Sequence, residues 1–147
     1  MTTLEREIAA TDTDREGATV LVAEDHEETR SLLRLVLEQT GYRVVEAVTG
    51  SHAVALAEGE HPDLILTDLH MPVLSGVEAI RQIRSNPELR EIPILAMSGD
   101  GMSGMELFLN IDQFGGGFID YIAKPFNIDT LVEQIHELLA PVPAATT

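Results

Sequence analysis

The sequence predicts an α/β domain, a doubly wound five-stranded parallel sheet with helices on both faces, and three observations predict it. Short apolar runs alternate with helical segments five times along the chain, a (βα)5 order. The runs are almost continuously apolar, as strands covered on both faces are. The connections suit right-handed crossover helices and are too long for hairpins.

Residues 1–17 are polar and acidic without a sustained period and read as a flexible tail. Ala18-Thr19-Val20-Leu21-Val22-Ala23 is a buried first strand, ending in Glu24-Asp25. Leu32, Leu33, Val36 and Leu37 mark the core face of a helix from Glu27 to Thr40, which Gly41 stops. Tyr42 to Ala47 is the second strand. Gly50 to Glu58 is an alanine-rich helix, closed by Gly59 and the His61-Pro62 pair. The central strand lies in Asp63-Leu64-Ile65-Leu66-Thr67-Asp68, stopping at an aspartate just before Leu69-His70-Met71-Pro72.

Ser75 and Glu78 match a capping box, and the helix they open runs to Arg84, short of Asn86-Pro87. Ile92 to Met97 is the fourth strand and ends at Ser98. A glycine-rich loop, 99–104, leads to a helix near Met105 to Phe114. After the glycine run 115–117, Phe118 to Ala123 is the fifth strand and ends at Lys124-Pro125. Asn127 caps a last helix with an apolar face of Ile128, Leu131, Val132, Ile135, Leu138 and Leu139. The domain therefore spans 18–140, with 141–147 a short C-terminal tail.

Composition bounds the function. A length of 147 residues with 44% hydrophobic and 23% charged residues is that of one soluble globular domain. No cysteine is present, which excludes a disulfide framework, a thiolate metal site and a cysteine nucleophile. No apolar run approaches the roughly 20 residues of a membrane span, and Met1-Thr2-Thr3-Leu4-Glu5-Arg6-Glu7 lacks the basic region followed by an apolar one that is expected of a secretory signal. Cytoplasmic is the expected location. A net charge of -16 argues against direct binding of nucleic acid or an anionic membrane, and favours partners that offer basic groups.

The chemistry gathers at the strand ends. Strand one finishes in Glu24 and Asp25, strand three in Asp68, strand four in Ser98 and strand five in Lys124. In a parallel sheet these ends share one edge, the edge where open α/β folds place ligands. Three crowded carboxylates repel one another unless a cation joins them, and a hard divalent ion such as Mg²⁺ suits oxygen ligands. An aspartate beside Mg²⁺ can attack phosphorus, with the Ser98 hydroxyl and the Lys124 ammonium on the phosphoryl oxygens. The plainer alternative for Asp68 is a loop aspartate that merely ends a strand.

The pieces Val20-Leu21-Val22-Ala23-Glu24-Asp25, Asp68-Leu69-His70-Met71-Pro72 with Gly76, Met97-Ser98, and Tyr121-Ile122-Ala123-Lys124-Pro125-Phe126 occur in order at the correct strand ends. Over residues 18–140 the chain resembles the receiver domains of two-component response regulators, the CheY-like superfamily. The resemblance implies a flavodoxin-like strand order, 2-1-3-4-5. It implies that Asp68 is the phosphoacceptor, and that Glu24, Asp25, Asp68 and the backbone carbonyl of His70 bind Mg²⁺. It further implies that Lys124 pairs with the phosphoryl group, that the Lys124-Pro125 peptide is cis, and that Ser98 and Tyr121 form the switch pair. Such a domain catalyses only its own phosphorylation and dephosphorylation. Its phosphodonor is a sensor histidine kinase or a histidine phosphotransfer protein, and its output passes through protein contacts. Only residues 141–147 follow the domain, so the reading is of a stand-alone regulator. Gly99 departs from the alanine many receivers carry after the switch hydroxyl, and His70 and Asp100 occupy positions linked to phosphoryl lifetime.

Rival readings come from other classes. Gly99-Asp100-Gly101-Met102-Ser103-Gly104 is a literal GxGxxG, but a dinucleotide-binding enzyme carries that motif after the first strand of its unit. An aspartyl phosphatase resembling haloacid dehalogenases wants a second aspartate two positions after its nucleophile, where this chain has His70. A receiver-shaped module working without phosphorylation is opposed by the intact set of Glu24, Asp25, Asp68, Ser98 and Lys124. The histidines read as surface residues, although His26 and His70 flank the acidic site. Met105, Leu107, Phe108, Leu109, Ile111 and Phe114 spread around most of their helix, so part of them forms an exposed apolar patch. That patch is the expected surface for a downstream target or a homodimer.

Overall fold

The computed structural model describes residues 17–71, 73–99 and 119–140. The expected tails, the helix near 105–114, the loop from Asp100 to Gly104 and the glycine run 115–117 lie outside the described residues, except that Gly17 is described. The elements are β1 (Thr19–Ala23), α1 (Glu27–Gln39), β2 (Arg43–Ala47), α2 (Gly50–Glu60), β3 (Leu64–Asp68), α3 (Gly76–Ser85), β4 (Ile94–Ser98), β5 (Ile119–Ala123) and α4 (Ile128–Leu139). The strands form one sheet in the order β2-β1-β3-β4-β5, and every neighbouring pair is parallel.

Strand alternation divides the core in two. Leu21, Ala23 and Ile65 face one side, where Ala53 and Ala57 of α2 and Ile80 and Ile83 of α3 cover them. Val20, Val22, Leu64 and Leu66 face the other, under Leu33 and Leu37 of α1 and Leu131 and Ile135 of α4. This two-sided burial is why the strands read as unbroken apolar runs. A hydrogen bond between the Tyr42 hydroxyl and His136 Nδ1 ties the approach to β2 to α4.

Several expectations need correction. Leu32 does not join the core face of α1: it is 49% exposed, because it lies about 100° around the helix from Leu33. Helix α2 runs through Gly59 to Glu60, and His61 takes the left-handed conformation (φ 46°) instead. The stop comes from Pro62, which has no N–H and cannot continue the helix, while Gly59 stays helical and a Cβ added there would meet no described atom. The capping box is half made. Ser75 Oγ accepts from the Glu78 amide (3.2 Å), but the Glu78 carboxylate turns to Arg81 (2.7 Å).

Two glycines are required by close backbone approach. A Cβ on Gly50 would lie 2.0 Å from the Leu74 carbonyl oxygen, where α2 meets the loop before α3. A Cβ on Gly76 would lie 1.9 Å from the carbonyl oxygen of Asp68. Gly76→Ala is therefore expected to lower unfolding stability by about 3 kcal/mol, since the obstacle is backbone that cannot swing aside. Gly59→Ala, in open helical space, is expected to stabilise by about 0.5 kcal/mol. Urea unfolding of the two variants side by side checks this, and an unchanged midpoint for Gly76→Ala would contradict the close approach.

Candidate functional site

The parallel register brings the carboxyl ends of the strands to one edge. Asp68 pairs with Met97 of β4, and Ser98 pairs with Ala123 of β5, the residue before Lys124. Across β1, Ala23 pairs with Thr67, so Glu24 leaves the sheet beside Asp68. Residues a hundred positions apart meet there.

Glu24 is fully buried and every polar atom it has is engaged. Its N–H donates to the Ala47 carbonyl (3.0 Å), and its own carbonyl accepts from Arg30 Nη1 (3.0 Å). Oε2 accepts from the His26 amide (3.2 Å), and Oε1 accepts from Lys124 Nζ (2.8 Å). Asp68 is also buried: Oδ1 accepts from the His70 amide (3.2 Å) and Oδ2 from Lys124 Nζ (3.2 Å). Asp25 is exposed at the mouth. One carboxylate oxygen from each of Glu24, Asp25 and Asp68 lies within 4.8 Å of the other two.

The electrostatics follow from burial. Desolvation raises the Glu24 carboxyl above its ordinary value, and nearby Asp68 adds to the rise against the pull of Lys124 and the His26 amide. Burial works to lower the Lys124 ammonium, but Glu24 and Asp68 outweigh it and the net shift is upward. With all four groups charged, three carboxylates face one ammonium, an excess of two negative charges. An all-oxygen donor set carrying that excess fits a hard divalent cation such as Mg²⁺.

The Lys124-Pro125 peptide is cis, as the sequence led us to expect, and the Lys124 amide donates to the Ser98 carbonyl (2.6 Å). Ser98 is fully buried at the end of β4. Tyr121 pairs with Ala96, two residues earlier on β4, and is half-buried against the apolar cluster under α2 and α3. A Cβ added at Gly99 would meet no described atom. Of the two histidines near the site, His26 turns its Nδ1 to Thr29 Oγ1 (3.0 Å), and neither belongs to the carboxylate cluster. Asp100 lies outside the described residues.

Two contributors, Arg30 and Thr67, were missed in the sequence, and a third, Gly76, was quoted there without a role. Arg30 reaches from α1 to the end of β1, Thr67 Oγ1 donates to the Asp68 carbonyl (3.0 Å), and Gly76 leaves room for that carbonyl. Arg30 had a signal: the one charged residue in Val44-Val45-Glu46-Ala47 needs a cationic partner, and Arg30 Nε reaches it at 3.3 Å.

Comparison with known proteins decides the family. Residues 20–136 match the response regulator receiver domain. The chain belongs to that family. It is 37% identical over 120 residues to the polar-differentiation response regulator DivK of Brucella ovis, covering 82% of this chain and 94% of that protein. Among solved structures, it resembles the receiver domain of a sensor histidine kinase from Pseudomonas aeruginosa, with a magnesium ion coordinated in the active-site cleft. That likeness has a TM-score of 0.75 at 33% identity, over 85% of this chain and 99% of the other. The chemotaxis response regulator CheY4 of Vibrio cholerae gives 0.72 at 28% identity, over 83% and 98%.

The receiver thus works in two-component signalling, with a histidine kinase as the class of its phosphodonor, and it is not a conventional enzyme. The strand order of the CheY-like fold is the one observed. Among the described residues no helix is long and apolar enough to cross a membrane.

Proposed function

We propose that Asp68 of this receiver accepts a phosphoryl group from a phosphohistidine, with Mg²⁺ held by Glu24, Asp25, Asp68 and the backbone carbonyl of His70. The observation that carries this reading is the Lys124 ammonium between Glu24 Oε1 and Asp68 Oδ2, with Asp25 alongside. Mg²⁺, when bound, supplies charge neutralisation for the oxygens of the transferred group. The chain's own residues do the rest. An Asp68 carboxylate oxygen forms the new bond to phosphorus as the bond to the donor imidazole nitrogen breaks. Lys124, already between the two carboxylates, pairs with a phosphoryl oxygen, and the Ser98 hydroxyl donates to another.

Ser98 and Tyr121 serve as the switch. Burial of Ser98 at a strand end, with Tyr121 half-buried on the neighbouring strand, supports coupling between hydroxyl and ring. The receiver domain spans 18–140 between the two tails, and the protein acts in the cytoplasm. The donor is a sensor histidine kinase or a histidine phosphotransfer protein, and the segment 105–114 contacts a downstream protein or a second copy of the chain.

The test is intact-mass analysis after incubation with acetyl phosphate, with Mg²⁺ or with EDTA. One phosphoryl group per chain is expected with Mg²⁺ and none with EDTA, and peptide mapping should place it on Asp68. Mg²⁺ binding without any mass gain would favour a module that works by contact alone.

A further inference from the structure

We propose that Arg30 is a positioning residue that aims Asp25 at the cation and so sets the affinity of the receiver for Mg²⁺. The inference rests on the proposed function and adds a residue to it. Asp25 is exposed, so its carboxylate is directed by the two peptide units that flank it. The carbonyl of the first, that of Glu24, accepts from Arg30 Nη1 (3.0 Å). The N–H of the second, that of His26, donates to Glu24 Oε2 (3.2 Å). Both peptide planes are held, one by a guanidinium and one by the neighbouring buried carboxylate.

Arg30 is itself fixed. Its amide donates to the His26 carbonyl (2.9 Å) in the first turn of α1, and its Nε meets Glu46 Oε1 on β2 (3.3 Å). Its side chain is only 16% exposed. Glu46 Oε2 takes Arg34 Nη1 (2.8 Å), so two arginines of α1 meet this one carboxylate of β2, and Arg34 Nε also meets Glu38 one turn on within α1 (3.1 Å). A planar fork that spans a carbonyl and a carboxylate is a task lysine cannot duplicate. Glu46 also offsets the guanidinium charge, so the fork can sit near the cation site with little repulsion.

Positioning and simple charge predict opposite signs, which makes the idea testable. If Arg30 mattered only as a nearby positive charge, its removal would tighten Mg²⁺ binding. If it aims the ligand, removal weakens binding, by about tenfold on the scale seen when groups supporting metal ligands are lost.

The experiment is calorimetric titration of Mg²⁺ into the full chain for wild type, Arg30→Met, Arg30→Lys and Glu46→Gln, with thermal melts in EDTA. The expected Kd rises about tenfold in Arg30→Met and about threefold in Arg30→Lys and Glu46→Gln. At saturating Mg²⁺ the phosphorylation rate should return to within about twofold of wild type, a split between binding and turnover. An unchanged or tighter Kd in folded Arg30→Met overturns the proposal, even if its melting temperature falls. If Arg30→Met does not fold, an unchanged Kd in Arg30→Lys overturns it. No Mg²⁺ binding by wild type would bring down the reading of the acidic site and this proposal together.

Discussion

Asp68→Asn is expected to abolish Mg²⁺-dependent phosphoryl uptake from acetyl phosphate, a loss on the order of a thousandfold or more. The amide has no carboxylate oxygen to attack phosphorus, and no other described side chain occupies its place at the end of β3. The fold should survive the change. The substituted side chain keeps one oxygen to accept from the His70 amide or the Lys124 ammonium, as Asp68 Oδ1 and Oδ2 do at 3.2 Å each. The backbone of β3 is untouched, including the Leu69 amide to the Met97 carbonyl (3.1 Å). Stability in EDTA should stay within about 1 kcal/mol of wild type. Mg²⁺ binding should weaken because one of three carboxylates is gone, and the buried Glu24 carboxyl should move back toward its ordinary value without its anionic neighbour. Intact mass, urea unfolding and Mg²⁺ titration on the one variant check uptake, stability and cation affinity. Full phosphorylation of Asp68→Asn would move the acceptor elsewhere.

Strand-borne features were legible in the sequence because burial on both faces leaves little freedom in what a strand can contain. Val20 to Ala23, Leu64 to Thr67 and Ile94 to Met97 are buried throughout, and each run breaks at the polar residue that marks the edge. Parallel order then placed Glu24, Asp68, Ser98 and Lys124 together without any knowledge of angles. What stayed hidden depends on three-dimensional neighbours. Gly76 owes its identity to the Asp68 carbonyl oxygen, eight residues away, and nothing in the local pattern shows that approach. The end of α2 was misplaced because Gly59 is compatible with helix, and Pro62 made the decision. Glu78 had two competing partners and took the cationic one. Arg30 sits on a helix whose apolar stripe was easy to follow, while its use became visible only when β2 brought Glu46 across.

Lys124→Met should move two observables in opposite directions. The ammonium lies 2.8 Å from Glu24 Oε1 and 3.2 Å from Asp68 Oδ2, so a cation that joins those carboxylates must contend with it. Removing that charge should tighten Mg²⁺ binding by about tenfold. Phosphoryl transfer should nevertheless slow by about a hundredfold, the cost of losing one fixed cation aimed at developing charge on the transferred group. Stability supplies a third reading. In EDTA the variant leaves the buried Glu24 carboxylate without its cation, at a cost of about 2 kcal/mol. That figure lies below a fully buried pair because Lys124 keeps 27% of its side-chain surface in water. Excess Mg²⁺ should restore most of the loss by mass action. Tighter binding with slow transfer would assign the ammonium to the phosphoryl group. Weaker binding would mean that Lys124 organises the carboxylates, and slow transfer alone could then be a consequence of a collapsed site.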